Sequence, residues 1–316
     1  MHRRQVLKGG VAGVFTLWAT PLLQARAGQD PRSVPGRGTT DRVRKLTARI
    51  AVLDGGGSNV VACSSADGIV LVDTGAPNNA SRVMADLKGL GGDTRVHTVF
   101  NTHYHLAQTG NNEAFAGAGA AIVAHDRTRQ WVSVDYWIPD QQRYQKARPK
   151  AAWPTDVILN TGSRNVGGEP IDYGHLPVAH TAGDIYVYFR DQNVLVAGDV
   201  ASPANDPELD WITGAWIGGR VSAMDALLKI GNDQTRVVPG TGPVMTWAEF
   251  KAERELMEVV RQRLFKQIRQ GDGPQDMVDG GVLNGLPRTW KDPHKFLYAA
   301  AKGLWGNHNK LDPDVV

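Results

Sequence analysis

Asn101-Thr-His-Tyr-His-Leu-Ala-Gln-Thr-Gly-Asn-Asn112 is the stretch on which the reading of this chain turns. It follows the apolar run Val96-His-Thr-Val-Phe100 and reads as a strand opening into a loop. His103 and His105 stand two positions apart, so at the end of an extended segment both rings point the same way. Two neutral imidazoles on one side make half of a tetrahedral metal site. An isolated H-x-H pair carries little information. Its weight here comes from the setting: an apolar strand before it, Thr109-Gly-Asn-Asn112 after it, and a distant His180-Thr-Ala-Gly-Asp184 able to supply a third nitrogen.

The same stretch resembles the metal-binding loop of the metallo-β-lactamase superfamily, whose pattern is H-x-H-x-D-H. Other motifs of that family follow in order. Val70-Leu-Val-Asp-Thr-Gly75 resembles its early strand and turn, and His180-Thr-Ala-Gly-Asp184 its second metal loop. Val196-Ala-Gly-Asp199 resembles its bridging-aspartate strand, and Val238-Pro-Gly-Thr-Gly-Pro243 its last loop, which is usually P-G-H-G-P. The likeness runs over roughly residues 48 to 265, and the ordered set is far more specific than any one motif. It implies an α+β fold: a four-layer αββα sandwich of two mixed sheets with outer helices and the metal loops at one edge.

The departures from the family pattern shape the functional expectation. Ala107 and Gln108 stand where the family has Asp and His, and Thr241 stands where its last loop has His. The resemblance implies a complete three-histidine site (His103, His105 and His180) with Asp199 as a further metal-binding and catalytic group. It also gives Asp73 a bracing role beneath the metal loop, against which a plain turn or helix-start aspartate is the alternative. Asp184 belongs to the second metal loop. A second ion is not expected, because Ala107 has no donor atom and Gln108 and Thr241 offer only weak neutral oxygens to zinc. One zinc held by three imidazoles lowers the pKa of its water to about 7 and makes a nucleophile at neutral pH. Loss of the second site is expected to cost rate, on the order of the 10²–10⁴-fold typical of a lost acid-base group.

Two functions follow as expectations. One is an exported mononuclear zinc hydrolase acting on a small ester, lactone, lactam or phosphoester. The other is a binding or scaffold protein that kept the fold and lost the chemistry.

The N-terminal residues bear on compartment. His2-Arg-Arg-Gln-Val-Leu-Lys8 resembles a twin-arginine export signal, followed by a moderately apolar run from Gly9 to Leu23 and a small-residue cleavage pattern at Ala25-Arg-Ala27. That run is short for a membrane span, so cleavage after Ala27 and a periplasmic or secreted product are expected, with no stable membrane insertion afterwards. The formal charge of +3 includes Arg3, Arg4, Lys8 and Arg26, with no acid before residue 28. Taking away these four leaves −1 for the remainder, which gives no electrostatic case for nucleic acid. The expected partner is a small-molecule substrate. With 316 residues, 41% of them hydrophobic, the chain can build a sizeable core. Its one cysteine, Cys63, lies in the alternating run Asn59-Val-Val-Ala-Cys63 and reads as a small buried hydrophobe.

The organisation expected is a leader over 1–27, a flexible lead over 28–45, a metallo-β-lactamase-like domain over 46–270 and a helical C-terminal extension over 271–316 packed on it. Within the domain, Asp54-Gly-Gly-Gly57 suits a hairpin turn. Helices are expected over Ala80–Leu90 and Trp247–Gln270, and short strands over Asp156–Asn160, Pro170–Tyr173 and Leu176–Ala179. His125 reads as a capping or packing residue, and His175 as one that packs or faces solvent. The mixed aromatic and basic segment 129–154 reads as a loop at the rim of the site. The loop Pro203–Gly219, with Asp206, Asp210, Trp211 and Trp216, reads as a pocket wall able to lend a carboxylate, or as a surface loop with aromatic anchors.

Overall fold

The computed structural model describes residues 42–138 and 142–307. The leader and the lead as far as residue 41 lie outside them, as do residues 308–316 of the extension.

Alternation of side chains along the strands builds the layers. Strand β3 (Asn59–Ser65) turns Val61 and Cys63 to one face and Val60 and Ala62 to the other, and all four are buried. The first set meets Val70 and Val72 of β4 (Gly68–Val72) and, from the facing sheet, Val187 and Phe189 of β12 (Ile185–Phe189). The second set packs on Val83 and Leu87 of α1 (Ala80–Leu90). A sheet buried on both faces needs continuous apolar runs, and β4, β12 and β13 (Val194–Gly198) supply them.

Besides β3 and β4, the first sheet holds β1 (Val43–Lys45), β2 (Ile50–Asp54), β5 (Val96–Phe100), β6 (Ala121–His125) and β9 (Asp156–Ile158). Its order among the described residues is β1-β2-β3-β4-β5-β6-β9. Strands β1 to β4 pair antiparallel; β4, β5, β6 and β9 run parallel. A two-stranded ribbon, β7 (Tyr136–Ile138) with β8 (Arg143–Gln145), lies between β6 and β9 in the chain. The second sheet adds β10 (Gly162–Val166), β11 (Glu169–His175), β14 (Arg236–Pro239) and β15 (Met245–Thr246), in the order β10-β11-β12-β13-β14-β15. Its outer face is covered by α5 (Ile217–Leu227), α6 (Trp247–Gln270), α7 (Pro274–Asp279) and α8 (Pro293–Gly306), through Met224, Leu227, Phe250, Met257, Met277 and Phe296. Short helices α2 (Leu106–Thr109), α3 (Asn112–Gly117) and α4 (Asp126–Val132) complete the first half. This is the expected sandwich of two mixed sheets with helices outside.

Local chemistry sets the boundaries. Helix α6 opens with a reciprocal capping box, Thr246 accepting from the Glu249 N–H while Glu249 accepts from the Thr246 N–H, and ends at Gly271 with φ of 86°. His125 caps α4, its ring accepting from the Arg127 N–H. His175 stacks on His125 with ring centroids 3.7 Å apart.

Three expectations need correction. Val43–Lys45 is not part of a flexible lead: it pairs with Ala51–Leu53 as an edge strand. Leu176–Ala179 is not a strand, because the chain turns after β11 with Val178 at φ of 48°. Edge strand β10 is absent from the expected elements; its sequence, Gly-Ser-Arg-Asn-Val, has too little apolar character to announce a strand.

Candidate metal centre

Strand ends deliver the site. Parallel pairing of β4 and β5 places Asp73 beside Asn101, with the Asp73 N–H donating to the Phe100 carbonyl. The chain then leaves β5 through His103 and His105 and enters α2. His103 and His105 are therefore not on extended strand, as their spacing suggested. They lie in the turn after it, and His105 is the residue from which α2 starts. From the second sheet, His180 lies in the loop before β12 and Asp199 directly follows β13. The two sheets are tied at this edge by the Ile185 N–H donating to the Thr102 carbonyl at 2.8 Å. Gly198 makes the join possible: its φ is 56°, and a Cβ there would stand 2.9 Å from the Thr102 Cβ.

The three imidazoles converge. Ring centroids are 4.9 Å apart for His103–His105, 4.6 Å for His103–His180 and 4.9 Å for His105–His180, each pair near-perpendicular. One potential ligand atom from each lies within 4.8 Å of the others, and all three residues are buried. Among the described residues this is the one such cluster of histidines, cysteines and carboxylates.

Carboxylates hold the rings in place. Asp73 accepts from the Thr102 N–H and the Thr102 hydroxyl, both at 2.8 Å, and Thr102 Oγ1 lies 3.0 Å from His103 Nδ1. Asp73 thus contacts the metal loop through Thr102, and α1 starts from Asn79. With its hydroxyl proton committed to Asp73, Thr102 can only accept from Nδ1–H, which turns the lone pair of Nε2 toward the centre. Burial pushes the Asp73 carboxyl well above the usual carboxylate range, against the pull of its Thr102 hydrogen bonds.

Asp184 accepts from the His180 N–H at 2.6 Å, the Thr181 N–H at 2.7 Å and the Thr181 hydroxyl at 2.7 Å, and its Oδ1 lies 3.4 Å from His180 Nδ1. Burial alone would depress the His180 imidazolium. The Asp184 carboxylate beside the ring, joined by the charges of Asp199 and Glu208, outweighs it and lifts the pKa to about 9. Both ring nitrogens of His180 are buried without a hydrogen-bond partner; Nδ1 has the Asp184 carboxylate at 3.4 Å, and Nε2 has no carboxylate beside it among the described residues. A buried nitrogen facing two other imidazoles and giving its hydrogen bond to nothing suits a cation, so the donor set fits a zinc-type ion.

Asp199 stands beside the cluster, Oδ2 3.5 Å from His103 Nε2. Burial pushes its carboxyl up, opposed by the nearby charges of His180 and His105. Gln108 donates from Nε2 to Asp199 Oδ2 at 3.0 Å. Gly240 presses on the other side, where a Cβ would stand 2.3 Å from Asp199 Oδ1. Ala107 points no donor at the site; its carbonyl accepts from the Ser58 hydroxyl. Thr241 follows Gly240 and is half-buried.

The residues after the histidines are scaffold. Asn111 accepts from the N–H groups of Asn79 and Ala80 at the start of α1, and donates to the carbonyls of Thr74 and Ala76. Asn112 exchanges hydrogen bonds with Asn101.

A family model for the metallo-beta-lactamase superfamily matches residues 53–242. The chain belongs to the metallo-beta-lactamase superfamily. Among curated proteins it is similar to 2,4-dinitroanisole O-demethylase subunit alpha of Nocardioides sp. (strain JS1661), with 23% identity over 247 residues, covering 76% of this chain and 69% of that protein. Among solved structures it is similar to a metallo-beta-lactamase family protein from Thermus thermophilus, with a TM-score of 0.62 and 17% identity over 84% of this chain and 95% of that one. A metallo-beta-lactamase from Pontibacter korlensis matches with a TM-score of 0.56 and 19% identity, over 68% and 98%. At these identities the solved structures establish the shared fold.

In this superfamily member the rim is aromatic. Tyr104 stacks on Trp131, with centroids 5.4 Å apart and planes at 26°, and meets the edge of Tyr136. Trp131 and Tyr136 of the aromatic and basic segment thus pack against the metal loop, and Arg148 donates to the Thr109 and Gly110 carbonyls. The contact made by Tyr104 is not legible in the motif pattern.

Proposed function

We propose that this chain is a single-ion, zinc-dependent hydrolase of the metallo-beta-lactamase fold that acts on a small ester, lactone, lactam or phosphoester. The observation that carries the reading is the convergence of three buried imidazoles, with carboxylates backing two of them and Asp199 alongside. His103, His105 and His180 would hold the ion, which when bound supplies Lewis acidity and an acidified water. Asp199, held by Gln108 through one oxygen, would orient the attacking water and take its proton. The dry setting of the three rings strengthens these interactions.

The Nocardioides relative is named for an aryl methyl ether and for being one subunit of its enzyme. Both points extend the proposal: nitroaryl ethers join the substrate panel, and a partner subunit belongs in the search for activity. Export with loss of residues 1–27 is part of the same proposal and is supported by the leader-like sequence. No helix among the described residues is long and apolar enough to cross a membrane.

The test is turnover of that panel by the purified mature protein. Hydrolysis that stops on chelation and in His103→Ala supports the reading. No turnover of any panel member, or turnover indifferent to chelator, rejects it. The second reading, a binding protein that lost the chemistry, is favoured by the Gln108–Asp199 hydrogen bond, which engages a carboxylate the family gives to its second metal. Activity found only after Ala107→Asp, Gln108→His and Thr241→His are combined would establish that reading instead.

A further inference from the structure

The loop between β13 and α5 brings further carboxylates to the three-histidine centre. Asp210 Oδ2 lies 3.5 Å from His105 Nε2. Glu208 is exposed, and its charge is felt at His180, Asp199 and Tyr104, so it faces the centre from the solvent side. With Asp199, whose Oδ2 stands 3.5 Å from His103 Nε2, acids flank the entrance. Two basic groups of this region are already engaged. Arg148 donates to the Thr109 and Gly110 carbonyls, and Arg220 is fully buried 3.6 Å from Glu253.

This acidic loop is held at both ends by the C-terminal extension. Arg288 donates to the Ser202 and Asn205 carbonyls, and Asp206 accepts from the Lys291 N–H at 2.9 Å and the Asp292 N–H at 2.7 Å. At the far end Asn307 donates to the Gly214 carbonyl at 3.2 Å. Between them the Asp210 N–H donates to the His180 carbonyl at 2.9 Å. Glu208 and Asp210 therefore ride on a fixed wall, and their charges are in place before anything enters.

Tyr104 joins the acidic wall to an aromatic one. Its hydroxyl donates to Asp210 Oδ2, and its ring centroid lies 4.5 Å from that of His105. On its other side it meets Trp131 and Tyr136, which are half-buried, so part of each ring is open to a ligand. An uncharged ring entering here gains aromatic contact. An anion gains the same contact but is brought against fixed like charges, which weakens its binding. We propose that the substrate is an aromatic compound without negative charge: its ring lies against Trp131 and Tyr136, while Glu208 and Asp210 turn anions away. This narrows the hydrolase proposed above and rests on that reading. It removes the phosphoesters, which are anions at neutral pH.

The test is ligand binding to the full mature protein loaded with zinc, followed by NMR titration, which does not depend on turnover. The probes are acetanilide, its carboxylate derivative 4-acetamidobenzoate, and N-butylacetamide, which has no ring. Acetanilide is expected to bind about 10-fold more tightly than 4-acetamidobenzoate at low salt, and the gap closes as salt rises. Glu208→Lys, at an exposed position that the fold tolerates, is expected to shrink that preference about 10-fold. Trp131→Leu is expected to cost acetanilide about 3–10-fold, the worth of an aromatic contact, and to leave N-butylacetamide unchanged. The proposal is overturned if acetanilide does not bind, if 4-acetamidobenzoate binds as tightly, if N-butylacetamide binds as well as acetanilide, or if Glu208→Lys leaves the preference where it was. The expected preferences without turnover of phenyl acetate or any other ester support the ligand class and reject the hydrolase reading. Ester turnover with the opposite preferences does the reverse.

Discussion

Gln108 donates its side-chain amide to the carboxylate of Asp199, Nε2 to Oδ2 at 3.0 Å, across 91 residues of sequence. A hydrogen bond thus stands where the family pattern places a second cation between the corresponding histidine and aspartate. The amide neutralises nothing, but it fixes the carboxylate through one oxygen. The combined variant Ala107→Asp, Gln108→His, Thr241→His is therefore expected to bind one more zinc per chain than wild type. Gln108→Ala alone is expected to leave the stoichiometry unchanged. Metal analysis after gel filtration reads both outcomes.

Asp184 satisfies three donors within the turn that presents His180, from the His180 N–H, the Thr181 N–H and the Thr181 hydroxyl. Asp184→Ala leaves buried donors unpaired, so a loss of about 2–4 kcal/mol is expected, summed from about 1–3 kcal/mol per abandoned group with partial relaxation. Denaturant unfolding of the metal-free protein isolates this from any effect on the ion. An unchanged midpoint would contradict the assignment.

Behind Asp199 lies a buried charge network. Arg220, fully buried, donates to the Asp199 carbonyl at 2.9 Å and the Ser202 hydroxyl at 2.8 Å, and stands 3.6 Å from Glu253. Glu253 accepts from the Ser202 N–H at 2.8 Å, and Arg288 from the C-terminal extension donates to the Ser202 and Asn205 carbonyls. Glu253→Ala strands the Arg220 charge and is expected to cost about 3–5 kcal/mol. Thermal and denaturant melts measure it. Substituting both Glu253 and Arg220 by apolar residues should be milder than the single change, because no orphan charge remains.

The stacked His125–His175 pair gives a pH signature. Burial, with the charge of His175, depresses the His125 pKa from 6.5 to about 4. The unfolded chain then binds more protons than the folded one between these values, so stability rises with pH over that window. The contribution is fully present above pH 6.5 and is lost as the pH falls toward about 4. Allowing for solvent screening, it amounts to about 1–2 kcal/mol. Unfolding measured from about pH 4 to pH 7 should show the slope in wild type and a smaller one in His125→Asn, which retains a capping acceptor.

The elements whose chemistry is local could be read from sequence. Helices Ala80–Leu90 and Trp247–Gln270 fall where the apolar period puts them, the second with its capping box at Thr246, and the order of motifs along the chain pointed to the sandwich. His103, His105 and His180 were legible because strand ends bring such motifs to one edge. What escaped was set by contacts distant in sequence or by weak pattern. Strand β10 is polar and pairs with β11 alone, so nothing in its composition marks it. Leu176–Ala179 has the composition of a strand, but Asp184 draws the following N–H groups into a turn. Asp210 was visible as a loop carboxylate, but its meeting with His105 depends on backbone bonds to His180 that no spacing rule expresses.

Zinc content of the purified mature protein bears most directly on the whole account. The three-histidine centre predicts close to one zinc per chain, lost in His103→Ala and His180→Ala variants that remain folded. A wild-type protein that stays metal-free after loading, or that retains its zinc when those histidines are removed, would contradict it.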